Sequence, residues 1–272
     1  MLTTLALQAE TQGPLLQGIW TQGGVVRGEV PIGTKLWLND QPVAVSNQGH
    51  FVLGFGRDAE LVQTLKWCSD NNVCASKGFA LEPRNYREQR IEGVPQNTVT
   101  PPQHVLDRIR DETAQVKESR AVFLENSFFM QPFIAPIDGP ITGVYGSRRV
   151  YNGVPKRPHY GVDYAAPVGA SVRAPADAVI TLAHDDMYYS GGTLIMDHGQ
   201  GLSSTFIHLS EILVKPGQKV KQGEVVAKVG QGGRSTGPHL DWRVNWHQVR
   251  MDPQLLIKLG DYVPSAIDLS PQ

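Results

Sequence analysis

The first third of the chain contains short segments in which apolar and polar residues alternate. Phe51, Leu53 and Phe55, for example, fall on one face of an extended segment. Turns rich in asparagine and glycine separate these segments, as they do in β-hairpins. The pattern predicts a small antiparallel β-sandwich. Its predicted strands cover residues 35–38, 43–45, 51–55, 61–67 and 79–81.

A longer segment with helical periodicity follows a proline-rich connector. Thr100 and the two prolines after it form a helix-start signal. From Gln103 to Asn126, apolar residues recur close to one stripe of a helix, and the other face is charged. We therefore predict one long helix whose charged face is in water. The predicted stripe consists of Val105, Ile109, Val116 and Phe123.

The C-terminal half returns to short apolar segments, which are separated by glycines. A strand entering a glycine-rich loop is predicted over residues 136–149. Further short apolar strands are predicted at residues 172, 179–180, 193–195, 205–207 and 225–227. This pattern indicates a compact antiparallel sheet whose polar residues face an open groove.

Together, these patterns predict a mostly β protein in three parts. Residues 1–95 would form the accessory β-sandwich, residues 96–127 a linker with the long helix, and residues 128–272 the second β-rich domain. A length of 272 residues is enough for about two domains with sizeable cores.

Composition narrows the range of functions. The formal net charge of −1 provides no basic surface for nucleic acid or for an anionic membrane. A hydrophobic content of 40% and a charged content of 19% are ordinary for a globular protein, and no apolar run could span a bilayer. Residues 1–10 lack the basic segment of a signal peptide, so they are either the remnant of one or an ordinary chain start. The oligomeric state is left open.

Cys68 and Cys74 are the only cysteines, and a polar Asp-Asn-Asn turn lies between them. This spacing favours a disulfide that closes a small loop, worth about 2 kcal/mol in the chain-entropy treatment. Two unrelated thiols are the alternative. A structural disulfide would indicate an oxidising compartment. No second cysteine or histidine pair lies nearby, so a zinc site is not expected here.

Three segments of the C-terminal half combine histidine with carboxylate. His159 and Asp163 stand four residues apart beside a glycine, His208 precedes Leu-Ser, and His239 is followed two positions later by Asp241. Imidazole and carboxylate groups are the side chains that hold a catalytic zinc while leaving one position open. The combination therefore predicts a zinc site.

The region from about Pro136 to Pro253 resembles the lysostaphin/LytM-type zinc endopeptidases, which cut peptide bridges in bacterial peptidoglycan. The first 130 or so residues do not match that family and resemble an accessory β-domain. The segments that carry the resemblance are residues 159–163, 174–179, 197–201, 206–210, 220–224 and 235–241.

The resemblance implies roles for individual residues. His159 and Asp163 match the first two metal ligands, and His208 matches a histidine that lies near the metal without ligating it. The family's third motif is His-x-His, in which the first histidine acts on the water and the second is the last ligand. Here His239 stands at the first of these positions, but Asp241 replaces the second histidine.

Asp241 can physically replace that histidine as a ligand. Strand positions two apart face the same side, and a carboxylate oxygen binds zinc at about the same distance as an imidazole nitrogen. The second carboxylate would make a bound water less acidic and shift the site toward harder metals such as manganese. In the alternative arrangement, His239 ligates the metal and Asp241 only orients it. We favour Asp241 as the ligand because it occupies the family's ligand position.

The resemblance implies a Zn²⁺-dependent endopeptidase that is exported, to the periplasm or cell envelope, and acts on peptidoglycan peptides. One alternative is a catalytically silent relative that binds the cell wall or activates an amidase. Another is a lipoyl- or biotin-carrier domain, suggested by residues 216–224, but the chain lacks the Met-Lys-Met or Asp-Lys-Ala attachment lysine of such domains.

Overall fold

The structure is a computed structural model that describes residues 13–93, 101–259 and 265–266. Residues 1–10, considered above as a leader remnant, lie outside the described residues, as does most of the proline-rich connector. No helix in the described ranges is both long enough and apolar enough to cross a membrane.

Two four-stranded sheets form the N-terminal part of the molecule. They share one hydrophobic core, in which Phe51, Leu65 and Trp67 are almost completely buried. The first sheet has the order β21-β1-β2-β5 and the second the order β4-β3-β6-β7. The predicted sandwich is thus present. The strands of this half are β1 (Leu15–Gly18), β2 (Val25–Glu29), β3 (Lys35–Leu38), β4 (Gln41–Val43), β5 (His50–Gly54), β6 (Val62–Cys68), β7 (Cys74–Ala80) and β8 (Glu88–Ile91), and the first sheet is completed by β21 (Ser265–Ala266).

The β6–β7 hairpin contains the disulfide. Cys68 and Cys74 are paired directly across the two strands, and their sulfur atoms are bonded. The pairing predicted from the polar turn is therefore confirmed. It ties together the ends of the two strands on the outside of the sandwich.

The predicted helix is present, and it ends earlier than expected. A short 3₁₀ turn (Gln103–Val105) leads into helix α1 (Leu106–Ala121), which ends five residues before the predicted Asn126. Its buried residues are Glu112 and Ser119, whereas Phe123 of the predicted apolar stripe is 46% exposed. Val105, Ile109 and Val116 of the stripe are nevertheless partly buried and lie on the same face as Glu112 and Ser119, so the predicted face is the one that packs. Only Phe123, which follows the last residue of the helix, lies outside it. Polar contacts supplement this packing. Ser119 Oγ donates to Thr181 Oγ1 at 2.8 Å.

A ten-stranded antiparallel sheet forms the C-terminal part. Its main path has the order β17-β14-β15-β16-β19-β12-β9, with β13, β18 and β20 attached. A separate three-stranded sheet has the order β11-β10-β8. The elements of the C-terminal half are β9 (Ile141–Gly143), β10 (Arg148–Tyr151), β11 (Val154–Lys156), β12 (Val162–Ala165), β13 (Ser171–Arg173), β14 (Ala178–Met187), β15 (Gly191–Gly199), β16 (Leu202–Ile212), β17 (Lys219–Val220), β18 (Val225–Val229), β19 (His239–Trp246), β20 (Val249–Met251) and helix α2 (Pro253–Lys258).

Alternation along β19 separates the core from the functional face. Leu240, Trp242 and Val244 are fully buried in the main hydrophobic core. Their neighbours His239 and Asp241 project to the other face, because successive strand residues point in opposite directions. A 3₁₀ turn (Phe128–Met130) places the apolar 128–133 segment in this same core and away from the functional face.

The N-terminal and C-terminal parts are closely joined. Strand β8 pairs in parallel with β10, and β21 pairs with β1. The buried guanidinium of Arg27 donates to the carbonyl oxygens of Phe129 and Gln131, at 3.0 and 2.7 Å. Val25 and Val52 belong to the main core of the C-terminal part. The division at residues 95 and 127 remains a prediction.

Candidate metal centre

Two antiparallel strands bring the first and third sequence motifs together. β12 and β19 pair so that Asp163 and Asp241 are direct partners. Direct partners across an antiparallel pair project to the same face. His159 lies in the segment that enters β12 and is 2% exposed. The fold therefore gathers His159, Asp163 and Asp241 at one point.

The possible ligand atoms of these three residues converge. His159 Nε2 lies 3.0 Å from Asp163 Oδ1 and 3.3 Å from Asp241 Oδ2. One donor atom from each residue can be chosen so that all three lie within 4.8 Å of one another. A single ion placed among them could contact all three residues.

Two glycines leave room for the carboxylates. A Cβ atom built on Gly161 would lie 2.3 Å from Asp241 Oδ1, and one on Gly143 would lie 2.1 Å from Asp163 Oδ2. Both separations are far shorter than non-bonded contacts allow. Any other residue at these positions would displace a carboxylate, so the glycines preserve the geometry of the centre.

Each carboxylate also contacts an arginine. Arg149 Nη2 donates to Asp163 Oδ2 at 2.7 Å. Arg243 donates to Asp241 through Nη2 at 2.6 Å and through Nε at 3.0 and 3.2 Å. The arginines fix the orientation of both carboxylates. They also supply positive charge that offsets the second carboxylate of the centre.

The charges of the centre are strongly interdependent. Burial acts to lower the pKa of His159, but Asp241 and Asp163 outweigh it and the pKa is raised. For Asp241, burial would raise the pKa, yet Arg243 and His159 hold it well below its usual value. Burial and Asp241 act to raise the pKa of Asp163, while His159 and Arg149 bring it below its usual value. Both carboxylates are therefore ionised at neutral pH.

His208 and His239 lie side by side near these residues, with ring centroids 4.8 Å apart. His208 Nδ1 lies 2.7 Å from the carbonyl oxygen of Gly232, and His239 Nδ1 lies 2.9 Å from that of Gly237. A carbonyl oxygen only accepts, so each Nδ1 carries a proton and Nε2 has the lone pair in the neutral ring. His239 Nε2 is 3.9 Å from Asp163 Oδ1.

His208 is constrained in two further ways. Its backbone φ is +66°, a left-handed conformation that a non-glycine residue adopts only at some cost. Burial, reinforced by His239, lowers the pKa of its imidazole to about 4, against the opposing effect of Asp241. The ring is therefore neutral at pH 7 in this arrangement.

These residues border a cavity of about 350 Å³. Asp163, His208 and His239 form part of its lining, and the 234–238 loop forms another part. Gln89 and Ile91 of β8 contribute from the N-terminal part. The groove expected from the sequence is therefore present, and one of its walls comes from outside the C-terminal sheet.

The residues fit a metal ion. One imidazole and two carboxylates form a donor set that suits zinc. Asp163 Oδ1 is buried, and among the described residues no donor of acceptable geometry bonds to it. An unsatisfied buried carboxylate oxygen is costly, and a cation at the convergence point would remove that cost.

The sequence motifs missed two members of this centre. Arg243 stands two positions after Asp241 on the same strand, so the alternation that placed His239 and Asp241 could have revealed it. Arg149 carries no such signal, because it reaches Asp163 only through the placement of β10.

Known proteins are similar to this region. Residues 157–253 match the model of Peptidase family M23. The peptidoglycan DD-endopeptidase ShyA of Vibrio cholerae is 32% identical over 146 residues, which are 52% of this chain and 34% of ShyA. The DD-carboxypeptidase/endopeptidase Mpg of Neisseria meningitidis is 44% identical over 95 residues, which are 34% of this chain and 22% of Mpg. The chain thus spans about a third or less of the length of these curated relatives.

A solved structure is similar over most of the chain. It is a crystal structure of a Pseudomonas aeruginosa protein described as a peptidase M23, with 29% identity and a TM-score of 0.67. The likeness covers 89% of this chain and 96% of the other, so it includes the N-terminal sheets as well as the C-terminal one.

Proposed function

We propose that this chain is a metal-dependent endopeptidase that hydrolyses peptide cross-links of bacterial peptidoglycan. The premise of this proposal is that residues 157–253 form a Peptidase family M23 domain. The observation that carries the proposal is the convergence of His159, Asp163 and Asp241 beside a cavity that also contains two histidines. Proteins named peptidoglycan DD-endopeptidases are among the relatives, and they indicate the substrate class.

His159, Asp163 and Asp241 would hold the metal, and zinc is the ion that suits this donor set. When bound, the metal supplies Lewis acidity for attack of water on the peptide carbonyl. Arg149 and Arg243 position the two carboxylates. Their positive charges counteract the loss of Lewis acidity that a second anionic ligand would otherwise cause.

The two histidines would move protons. His239 Nε2 has its lone pair directed toward the centre, so it can take a proton from the attacking water and pass it to the leaving amine. His208 is buried and neutral, and its proton affinity rises when negative charge develops beside it. Because its Nδ1–H bonds to Gly232 and its Nε2 holds a lone pair, it would share with His239 the uptake of the proton lost by the attacking water. Protonated at Nε2 in this way, it would donate a hydrogen bond to the oxyanion of the tetrahedral intermediate.

Export to the periplasm or cell envelope is part of the proposal. The substrate of the named relatives lies outside the cytoplasm. The Cys68–Cys74 disulfide is consistent with an oxidising compartment.

A second function is supported by the ion pairs of the centre. Arg149 and Arg243 form ion pairs with both carboxylates without a metal, and the raised pKa of His159 favours a proton in the place of a metal. These contacts would also suit a silent relative that binds cell wall or activates an amidase. A catalytic member would bind metal tightly and cleave, whereas a silent one would do neither.

Digestion of purified peptidoglycan separates the two functions. The protein would be incubated with sacculi before chelation, after chelation and after zinc is restored, and the products would be analysed by mass spectrometry. We expect hydrolysed cross-links that disappear with chelator and return with zinc. His239→Ala should lose cleavage, and His104→Ala, an exposed histidine outside the cavity, should retain it. Intact cross-links under all conditions would contradict the catalytic proposal.

A further inference from the structure

Three arginines come together on the same sheet face as the candidate metal centre. Arg243 projects to this face from β19 and is paired across the strands with Thr205. Arg120, in the last turn of α1, donates from Nη2 to Thr205 Oγ1 at 3.0 Å. Arg250 on β20 is the direct partner of Asn245, two positions after Arg243. Because direct partners share a face, Arg250 also projects there.

The positive charge of this cluster is only partly balanced. Arg243 is paired with Asp241. The guanidinium of Arg250 stacks on the ring of Tyr160, 4.6 Å from its centroid, and forms no salt bridge with a described acidic residue. Arg120 likewise has no carboxylate partner in the described ranges, and its Nε is buried without a hydrogen-bond partner.

Mutual repulsion is visible in the ionisation of the cluster. Burial, together with Arg250 and Arg243, lowers the pKa of Arg120 to about 9. Burial and Arg243 also lower the pKa of Arg250. Charged groups of one sign are rarely gathered in a partly buried place unless a counter-charge is bound there.

A buried amide lies within the same cluster. The side chain of Asn245 is on a residue that is 1% exposed, and neither its Nδ2 nor its Oδ1 has a hydrogen-bond partner. A buried amide is normally satisfied on both atoms. Asn245 is the direct strand partner of Arg250 and lies two positions after Arg243 on the same face, so a polar ligand held by these arginines would complete its hydrogen bonds.

Within the cluster, Arg243 and Arg250 reach solvent. The side chain of Arg243 is 28% exposed. Arg250, together with Arg157 and Tyr160, lines a cavity of about 810 Å³ between the N-terminal and C-terminal parts. Asp58 and Glu60 lie along that cavity as well, and Asp58 is paired with Arg57.

We propose that Arg120, Arg243 and Arg250, with Asn245, bind a free carboxylate group of the peptide substrate. This inference rests on the proposed function for the identity of the peptide. Guanidinium groups bind carboxylates through paired, charge-assisted hydrogen bonds. Because Asp241 bonds to Arg243, the bound carboxylate would lie next to the metal centre. The site would therefore select acidic peptides and fix their position relative to the scissile bond.

Calorimetry on the zinc-loaded protein tests the site without requiring turnover. The probe is a peptidoglycan tetrapeptide monomer with free carboxyl groups, compared with the same monomer after its carboxyl groups are converted to methylamides. We expect the free acid to bind the wild type about 10- to 100-fold more tightly, the range for charge-assisted hydrogen bonds. Equal affinity of the two forms would overturn the proposal.

Variants assign the preference to these arginines. Arg120→Gln and Arg250→Gln should each reduce the preference for the free acid about tenfold or more. Arg110→Gln is the matched control, because Arg110 is an exposed arginine on the same helix. Arg120→Lys and Arg250→Lys keep the positive charge and should retain part of the preference for the free acid. These lysine variants also provide the test if a glutamine variant fails to fold. A preference that persists in both glutamine variants would overturn the proposal.

The result is distinguishable from that of the proposed function. If the wild type cleaved peptidoglycan but bound the free acid and the methylamide equally well, the arginine site alone would be rejected. A carboxylate preference without cleavage would support the arginine site and reject the catalytic proposal.

Discussion

Asp197 provides a quantitative test of the packing in the C-terminal sheet. This residue lies on β15, is 3% exposed, and accepts one hydrogen bond, from the backbone N–H of Gly199 to Oδ1 at 2.7 Å. Burial raises its pKa to about 7, although the Gly199 hydrogen bond acts in the opposite direction. Asp197→Asn removes the ionisation and keeps an oxygen that can accept from Gly199.

The sign of the effect follows from the two pKa values. A free aspartate has a pKa near 4 in the unfolded chain, so the unfolded state loses its proton first as pH rises. The stability contributed by the protonated carboxyl is complete below pH 4 and is lost as pH rises through 7. Three pKa units at 1.36 kcal/mol each correspond to about 4 kcal/mol. The advantage of Asp197→Asn over wild type should therefore grow by that amount between pH 4 and pH 8.

Chemical denaturation at several pH values, followed by tryptophan fluorescence to which the fully buried Trp242 contributes, measures this difference. Comparing the two proteins isolates Asp197, because His198 contributes equally to both. Burial lowers the pKa of His198 to about 4, and its effect on wild-type stability has the opposite sign, since stability from the neutral ring is lost as pH falls. Asp185→Asn, on the exposed part of β14, is the control. A pH-independent difference between Asp197→Asn and wild type would refute the reasoning.

Three further predictions concern the metal centre and the disulfide. By metal analysis and kinetics, Asp241→Ala should lose metal and activity together, whereas His239→Ala should retain the metal and lose about 10²- to 10⁴-fold in rate. If His239→Ala lost the metal and Asp241→Ala retained it, His239 would be the ligand. Arg149→Ala should weaken zinc binding about 10- to 100-fold in a competition titration, because the substitution frees the Asp163 carboxylate that Arg149 orients. Unchanged zinc affinity would contradict this orienting role of Arg149. Cys68 and Cys74 should resist alkylation under denaturing conditions in protein from its native compartment, and free thiols would show that they are not bonded there.

Much of the fold and of the centre could be predicted from local pattern. Alternation along short segments identified the sandwich and the C-terminal sheet, because a half-buried strand imposes a period of two. The same period places His239 and Asp241 on one face. His159 and Asp163 were identifiable because their spacing and residue types match zinc chemistry.

Other features depend on long-range packing that local pattern does not contain. The partnership of Asp163 with Asp241 is set by the register of β12 on β19. Arg149 reaches the centre only because β10 is placed beside it, between β8 and β11. Apolar periodicity indicated the packed face of helix α1 but could not reveal that Ser119 and Arg120 bond to polar residues of the sheet.

Metal analysis of the purified protein is the most direct test of the account. Wild type should contain about one zinc ion per chain, and His159→Ala should contain none while its N-terminal sandwich remains folded. Arg173→Ala, an exposed residue of the same domain, should bind as much zinc as wild type. If His159→Ala retained a full complement of metal, or if wild type bound none when zinc was supplied, His159, Asp163 and Asp241 would not be the metal centre.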